Sequence, residues 1–403
     1  MSTASKQFLF PAEQWPSWRD FSYRPSSKRL ADIPRTSRRY LFFWARNAIY
    51  HSLRALGVGP GDGVLVPAYI CASAVEPIEA FGAKAVFYEV GRDCLPDVSD
   101  LEAKIDDRTR AVLAVHYFGF PCGIRQIRKI CDRHGLSLIE DCAHVLRGED
   151  GGQPLGTFGE ASVFSWRKFL PLYDGGELVL NRWEHELTVD WQSEHFLFTI
   201  RVAKNLLERA LPGPLASALR GMRLRHASAQ AAVPLDPHPR PTHAGRVLQV
   251  HPNSNSFDEQ MINFPLSRVS RVMLEHCLLD RIIAKRRTNY LYLQRQLAEL
   301  QGVRALFENL PTSVCPWVFP IFFVDMPNGQ FPLRRLGIPA ASWGGVRHPR
   351  IPSAEFPSAD FLYENLVFLP IHQSLQSNDL DLITEAVRTV REGGPVSYSP
   401  NLP

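Results

Sequence analysis

The chain has 403 residues, of which 45% are hydrophobic and 21% charged. This composition predicts a folded protein, and the length predicts two domains rather than one core. Basic residues exceed acidic ones by only four (45 against 41), so the charge gives no reason to expect nucleic acid as a partner. No stretch approaches the roughly 18 apolar residues of a membrane span, and the N-terminus does not have the pattern of a signal peptide.

The cysteines are scattered, odd in number and contain no CxxC pair. This pattern argues against a disulfide framework and against a metal site, and it favours reduced thiols in a cytoplasmic protein. The seven positions are Cys71, Cys94, Cys122, Cys131, Cys142, Cys277 and Cys315.

Residues 1–35 are rich in Pro, Ser and Arg and are predicted to form an irregular N-terminal arm. From about residue 40, short apolar runs alternate with helical patterns. The predicted helices are Asn47–Leu56, Ala72–Phe81, Asp97–Ile105 and Ile124–His134. The predicted strands are Gly63–Pro67, Ala85–Glu89, Ala111–His116, Leu136–Asp141, Ala161–Ser165 and Leu178–Asn181.

Strands that alternate with helices predict an α/β fold with a largely parallel sheet and helices on both faces. Such sheets bind ligands beyond the carboxyl ends of their strands. The residues at these ends are therefore candidates for a site: Tyr69, His116, Asp141 and Ser165.

The second half of the chain is patterned differently. The stretch Phe196–His226 is apolar and basic, with Pro212 and Pro214 dividing it into two short helices, and Pro234–His243 is predicted to be a linker. A helical pattern then runs from Asn263 to Leu300, followed by short strands and a final helix, Asp379–Arg391. We therefore expect a large domain over 36–245, with an insertion and linker at 190–245, and a smaller C-terminal α/β domain over 246–403.

Residues 196–226 admit two interpretations. A basic, apolar helix pair could rest on an anionic membrane surface. A packed insertion or a dimer contact is the interpretation we favour, because amphipathic helices usually face a core.

Asp141 and Lys168 carry the chemistry. Asp141 ends an apolar strand, and Lys168 lies in a short segment just after Ser165. Either residue alone could be an ordinary surface group. Together at the carboxyl edge of a sheet, an acid and a lysine are what pyridoxal phosphate requires, because the lysine forms a Schiff base with it and the acid keeps its ring nitrogen protonated.

Several longer runs resemble the DegT/DnrJ/StrS family of fold-type-I sugar aminotransferases. The resemblance covers roughly residues 40–180 and 260–395, which is far more specific than a single motif. The runs are LGVGPGDGVLVPAYICASAVEPIEAFGAKAVFYEV, VHYFGFP, HGLSLIEDCAH, PLGTFGEASVFSWRKFLPLYDGGELVL, MINFPLSRVS and LVFLPIHQSLQSNDLDLITEAV.

This resemblance implies a role for individual residues. Lys168 corresponds to the Schiff-base lysine, and Asp141 to the acid that pairs with the ring nitrogen. His144 takes the place of a glutamine near the ring hydroxyl. Ser165 corresponds to a phosphate-binding hydroxyl, and Asn263 to an asparagine that reaches the phosphate of a neighbouring subunit. The last correspondence implies a homodimer with shared active sites.

Other positions depart from the family. Arg46 and Asn47 stand where hydroxyl residues usually receive the phosphate at a helix N-terminus. Only two residues separate Ser165 from Lys168, which makes Arg167 a further candidate for binding phosphate. Cys71 stands where an aromatic residue usually stacks on the cofactor, so either of the strand-end residues Tyr69 and His116 is a substitute candidate.

The function that the resemblance implies is transfer of an amino group from an amino acid, glutamate by family, to a keto-sugar that is nucleotide-linked. The pathway would be polysaccharide or secondary-metabolite sugar biosynthesis. Two alternatives stay open. One is a different pyridoxal-phosphate reaction on the same fold, although deoxygenating relatives carry a histidine where this chain has Lys168. The other is a degenerate member that acts as a scaffold or regulator.

Overall fold

The computed structural model describes residues 8–22, 37–182, 184–194, 196–210 and 257–393. Their strands are β1 (Arg38–Phe42), β2 (Gly63–Pro67), β3 (Lys84–Tyr88), β4 (Thr109–Val115), β5 (Ser137–Cys142), β6 (Glu149–Asp150), β7 (Gln153–Pro154), β8 (Ala161–Ser165), β9 (Gly176–Leu180), β10 (Val303–Ala305), β11 (Val318–Phe323) and β12 (Leu366–Pro370). Their α-helices are α1 (Ala45–Ala55), α2 (Ala72–Ala80), α3 (Val98–Ala103), α4 (Ile124–His134), α5 (Phe196–Ala210), α6 (Arg268–His276), α7 (Leu279–Leu297), α8 (Gln330–Arg335), α9 (Pro357–Asn365) and α10 (Ser377–Arg391).

A seven-stranded sheet forms the first half of the molecule, in the order β1-β9-β8-β5-β4-β2-β3. Strands β3, β2, β4, β5 and β8 run parallel, whereas β9 is antiparallel to β8, and β1 is antiparallel to β9. Strands β2, β5, β8 and β9 are almost wholly buried because helices flank the sheet. The predicted fold class is confirmed.

A three-stranded antiparallel sheet, β10-β11-β12, forms in the second half of the chain. Helix α7 packs on it, and α10 packs on α7. The boundary predicted at 245/246 lies outside the described residues, as do Pro212, Pro214 and the linker Pro234–His243. The division into domains therefore stays a proposal, which the two separate sheets support.

The helical pattern predicted from Asn263 to Leu300 is interrupted in the structure. Helix α6 ends at His276, and α7 begins at Leu279. Between them the chain pairs with the N-terminal segment: Leu278 donates its N–H to the carbonyl of Asp20 at 2.8 Å, and Phe21 forms a β-bridge with Cys277. The prediction of one helix was wrong because these backbone groups bond to another segment.

Helix α5 is the described part of the predicted basic insertion. Its Val202 and Leu206 are buried in a cluster with Phe43, Trp44 and Phe264. This packing agrees with the favoured interpretation, in which the apolar face of the helix contacts the protein.

The helices and the cysteines can be compared with the sequence predictions. No helix among the described residues is long and apolar enough to cross a membrane. All seven cysteines carry free thiols, and all except Cys71 are buried.

Candidate active site

A cavity of about 620 Å³ lies beyond the carboxyl ends of β2, β4, β5 and β8. Parallel sheets bind ligands at this edge because the strand ends and helix N-termini converge there. The structure brings together seven of the eleven predicted site residues in the cavity wall. These seven are Arg46, Cys71, Asp141, His144, Ser165, Arg167 and Lys168.

Lys168 lies at the end of a short 3₁₀ turn, Trp166–Lys168, that directly follows β8. Trp166 fixes the turn, because its buried indole N–H donates to Glu177 at 2.7 Å and its backbone N–H to the carbonyl of Gly175, also at 2.7 Å. Loss of hydration lowers the pKa of the Lys168 amine to about 8, although the nearby Asp141 carboxylate opposes this shift. The lysine is therefore closer to neutral at physiological pH than a solvated lysine.

Asp141 lies at the end of β5, where it pairs with Val115 of β4. Burial raises the pKa of its carboxyl group, while the positive charge of Lys168 and a hydrogen bond from the N–H of Ala143, at 2.9 Å, both lower it. The amine and the carboxylate thus act on each other across one cavity, as the sequence predicted from their positions.

His144 lies flat against Trp317, with ring centroids 4.2 Å apart and planes 15° from parallel. Its Nδ1 accepts the backbone N–H of Phe118 at 3.3 Å, so the proton of the neutral ring resides on Nε2. Burial and the charge of Lys168 hold the pKa of His144 well below its usual range. His144 is therefore a neutral donor in the cavity wall.

The N-terminus of α1 forms another part of the wall, since Trp44, Ala45 and Arg46 all line the cavity. Helix N-termini attract anions through their free N–H groups and dipole. The guanidinium of Arg46 lies 4.7 Å from the Trp44 ring, and Ser165 and Arg167 line the same cavity. This arrangement suits an anionic group such as a phosphate.

Four predicted site residues do not line this cavity. Asn47 donates its side-chain amide to the carbonyl of Met261 at 2.6 Å. Asn263 is half-buried, and its carbonyl accepts the N–H of Gln192 at 3.1 Å. The remaining two are Tyr69 and His116.

Tyr69 and His116 are fully buried behind the wall. Tyr69 packs against Trp343, with centroids 4.9 Å apart. His116 bonds Glu140 at 3.0 Å. Because Glu140 and Asp141 are consecutive on β5, their side chains point to opposite faces of the sheet. His116 bonds Glu140 and therefore lies on the face away from Asp141. Neither Tyr69 nor His116 therefore lines the cavity.

His116, Glu140 and Cys142 form a buried group with potential metal ligands within 4.8 Å of one another. The Glu140 carboxylate already accepts the backbone N–H groups of Gly156, Phe158 and Gly159 at 2.6–2.9 Å. Its lone pairs are thus used in holding a turn, and we propose no metal here.

Two tryptophans in the site were missed from the sequence. Trp343 lines the cavity opposite the strand ends, and the ring centroid of Trp317 lies 4.9 Å from the Lys168 amine. Both belong to the second half of the chain. Trp343 begins the run WGGVRHP at 343–349, in which a tryptophan directly precedes two glycines.

A larger chamber of about 1600 Å³ continues outward from the cavity and shares Arg46, Cys71, Arg167 and Lys168 with it. Its outer wall includes the N-terminal residues Phe8 and Ala12–Gln14, together with Arg334 and His372. Burial lowers the pKa of His372 to about 3, and its Nε2 bonds the carbonyl of Pro11 at 3.0 Å. His372 therefore anchors the N-terminal segment.

The protein has the fold of the type-I aminotransferases, which combines a largely parallel sheet with a small antiparallel sheet. Its amine and carboxylate lie at the carboxyl edge of the parallel sheet. Spr1654 from Streptococcus pneumoniae, solved in a PLP form, has this fold, with a TM-score of 0.61 and 16% identity over 92% of this chain and 93% of its own.

Residues 45–235 match the DegT/DnrJ/EryC1/StrS aminotransferase family. GDP-perosamine synthase of Vibrio cholerae is 40% identical over 33% of this chain and 37% of its own length. The dTDP-3-amino-3,4,6-trideoxy-alpha-D-glucose transaminase of Micromonospora megalomicea subsp. nigra is 27% identical over 86% of this chain and 83% of its own. The chain spans only 37–43% of the length of the first three curated relatives.

Proposed function

We propose that this protein is a pyridoxal-phosphate-dependent aminotransferase that holds its cofactor through Lys168. The observation that carries the proposal is that the Lys168 amine and the Asp141 carboxylate line one cavity at the carboxyl edge of the sheet, where each shifts the pKa of the other. The match of residues 45–235 to an aminotransferase family supports it.

The side chains in the cavity suit each part of this cofactor. Arg46, Ser165 and Arg167, with the N-terminus of α1, would hold the phosphate. Asp141 would accept the hydrogen of the protonated ring nitrogen, and the Nε2–H of the neutral His144 would be a donor for the ring hydroxyl. The cofactor supplies an electron sink for the carbanion that forms when a substrate loses its α-proton.

Proton transfer falls to Lys168 in this proposal. With a pKa of about 8, its amine can give up and regain a proton near neutral pH. Burial raises the pKa of the Asp141 carboxyl group, and the charge of Lys168 and the N–H of Ala143 oppose that rise. Trp317 and Trp343 exclude water from one side of the amine.

The proposed substrates are glutamate as amino donor and a nucleotide-linked keto-sugar as acceptor, for surface polysaccharides or secondary metabolites. The names of the curated relatives support this class of acceptor. The outer chamber supports it as well, because Arg334 in its wall suits a substrate that carries phosphates.

We further propose a cytoplasmic homodimer in which Asn263 contacts the cofactor phosphate of the partner subunit. The position of Asn263 outside the cavity of its own chain supports a role across an interface. Seven free thiols support a reducing compartment. Chromatography coupled to light scattering tests the dimer, and a monomeric protein with full activity would refute shared sites.

The first experiment is the visible absorption spectrum of the purified protein with pyridoxal phosphate, before and after glutamate. Lys168→Ala is the test variant, and Lys129→Ala, an exposed lysine on α4, is its matched control. We expect a band of lysine-bound cofactor that glutamate bleaches in the wild type and in Lys129→Ala. Lys168→Ala should lack the band and transaminate at least about 10⁴-fold more slowly.

Either of two results would contradict the proposal. Full activity of Lys168→Ala would remove the lysine from its role. Absence of any band in the wild type would show that the chain has lost its cofactor, and the alternative of a scaffold or regulatory member would then take its place.

A further inference from the structure

The backbone carbonyls of the turn that carries Lys168 bond to side chains from distant parts of the chain. The turn lies between β8 and β9, so the sheet does not supply partners for these carbonyls. A buried carbonyl that lacks a hydrogen-bond donor destabilises the folded state. Three side chains supply the donors: Gln14, Arg286 and Gln373.

Gln14 holds the two ends of the turn. Its side-chain amide donates to the carbonyl of Arg167 at 2.6 Å and to that of Leu170 at 2.8 Å. Gln373, just beyond β12, donates to the carbonyl of Phe169 at 2.9 Å. The four consecutive carbonyls of residues 167–170 therefore all accept hydrogen bonds once Arg286 is added.

Arg286, on α7, joins these contacts into one network. Its Nη2 donates to the carbonyls of Lys168 and Phe169 at 3.3 and 3.4 Å. The same nitrogen bonds the amide oxygen of Gln14 at 3.1 Å, and Nε bonds that of Gln373 at 3.0 Å. Each of the three side chains thus fixes the orientation of another as well as the turn.

Arg286 also holds the aromatic wall beneath the lysine. Its Nη1 donates to the carbonyl of Trp317 at 2.9 Å. The Trp317 ring faces the Lys168 amine and stacks on His144. One guanidinium therefore sets the relative position of the backbone that carries the lysine and of the ring against which its amine lies.

The burial of Arg286 indicates that the network has a role beyond packing. The side chain is 1% exposed, and its hydrogen-bond partners are neutral oxygens rather than carboxylates. Burial lowers its pKa to about 10. A buried charge is expensive unless its hydrogen bonds are well satisfied, and a buried network that is satisfied rigidifies what it touches.

We propose that Gln14, Arg286 and Gln373 form a positioning clamp, which fixes the Lys168 turn and thereby the direction of the Lys168 amine. The inference rests on the proposed function, since it assigns these residues to the positioning of the proposed catalytic lysine. None of the three is proposed to touch the reacting atoms.

The test compares Arg286→Lys and Gln14→Met with Arg281→Gln. Arg286→Lys keeps the charge but loses the fork of donors, and Gln14→Met keeps the length but loses the amide. Arg281→Gln is the matched control, because Arg281 is an exposed arginine on the same helix. If Arg286→Lys does not fold, Gln14→Met, which removes no charge from the buried network, still tests the clamp.

The first readout does not need the cofactor. Amide hydrogen exchange of the peptide that contains residues 166–172 is measured in the cofactor-free proteins, with the thermal midpoint as a check on folding. We expect exchange in this peptide to rise about tenfold or more in both clamp variants and to stay at the wild-type rate in Arg281→Gln, because local opening follows the loss of local contacts. Unchanged exchange in both clamp variants would overturn the proposal.

The second readout is the half-reaction with glutamate, expressed per cofactor-loaded site. We expect the rate constant in both clamp variants to fall about 10²-fold with KM within about twofold, as a small misplacement of a reacting group produces. Wild-type rates per loaded site would also overturn the clamp, whatever the loss of stability. A wild-type protein without bound cofactor would refute the proposed function instead, while the exchange readout would still decide on the clamp.

Discussion

The two faces of β5 place adjacent carboxylates in opposite situations. Glu140, on the back face, accepts three backbone N–H groups and bonds His116. Asp141, on the cavity face, accepts the N–H of Ala143 and otherwise faces Lys168. The difference teaches that burial and charge alone do not mark a reactive acid. A carboxylate whose oxygens already accept several hydrogen bonds stabilises the fold. A carboxylate with free acceptor sites can bind a ligand.

The largest effect is expected on the cavity face. Asp141→Asn should leave cofactor content nearly unchanged and slow the half-reaction with glutamate about 10²–10³-fold, because a neutral amide cannot stabilise a protonated ring nitrogen. Stopped-flow absorbance per cofactor-loaded site measures this. Asp132→Asn, at an exposed acid on α4, is the control. An unchanged rate in Asp141→Asn would remove the residue from its role.

The back face should respond in stability rather than in rate. Glu140→Gln leaves His116 without its carboxylate and places an N–H group among backbone donors, so we expect the free energy of unfolding to fall by about 3 kcal/mol. Urea denaturation measures it. The rate per loaded site should stay within about twofold. A rate loss without a stability loss would show that the two faces of β5 do not divide these roles.

The pH dependence of cofactor attachment sharpens the comparison. The protonated lysine cannot attack the cofactor aldehyde, and the pKa of Lys168 is lowered to about 8. Attachment to the cofactor-free protein should therefore slow about tenfold for each pH unit below 8 and level off above it. Because Asp141 raises this pKa, Asp141→Asn should move the break to lower pH, whereas Glu140→Gln should not. A break near 10.5 in the wild type would contradict the environment described for the lysine.

The smallest effect is expected at His144. His144→Gln keeps a neutral N–H donor and loses the stack on Trp317, so we expect cofactor affinity to fall by about 1 kcal/mol or less. Fluorescence titration with pyridoxal phosphate measures it, with the surface variant His134→Gln alongside. A loss of more than about a hundredfold would show that the imidazole has a role that an amide cannot fill.

Local sequence patterns predicted the parallel sheet and the part of the site that lies on it. Asp141, Ser165 and Lys168 each follow an apolar run within three residues, and parallel strands bring such ends together. Tyr69 and His116 also follow strands but do not line the cavity, because the end of a strand fixes the position of a residue but not the direction of its side chain.

The rest of the site comes from contacts between distant segments. Gln14 and Arg167 are 153 positions apart, and Arg286 reaches across 118 positions to Lys168. Glutamine and arginine in an amphipathic or irregular stretch are ordinary surface residues by composition. The interruption of the helix at Cys277 likewise depends on a partner, Phe21, that no local pattern reveals.

The hydrogen bonds around Lys168 also determine when the active site can form during translation. A ribosome completes β8 and the lysine turn long before it reaches Arg286 and Gln373, which supply donors to that turn. During synthesis, the sheet edge can form while the lysine still lacks its final orientation. The nascent chain therefore cannot assemble its complete site until Gln373 has left the ribosome.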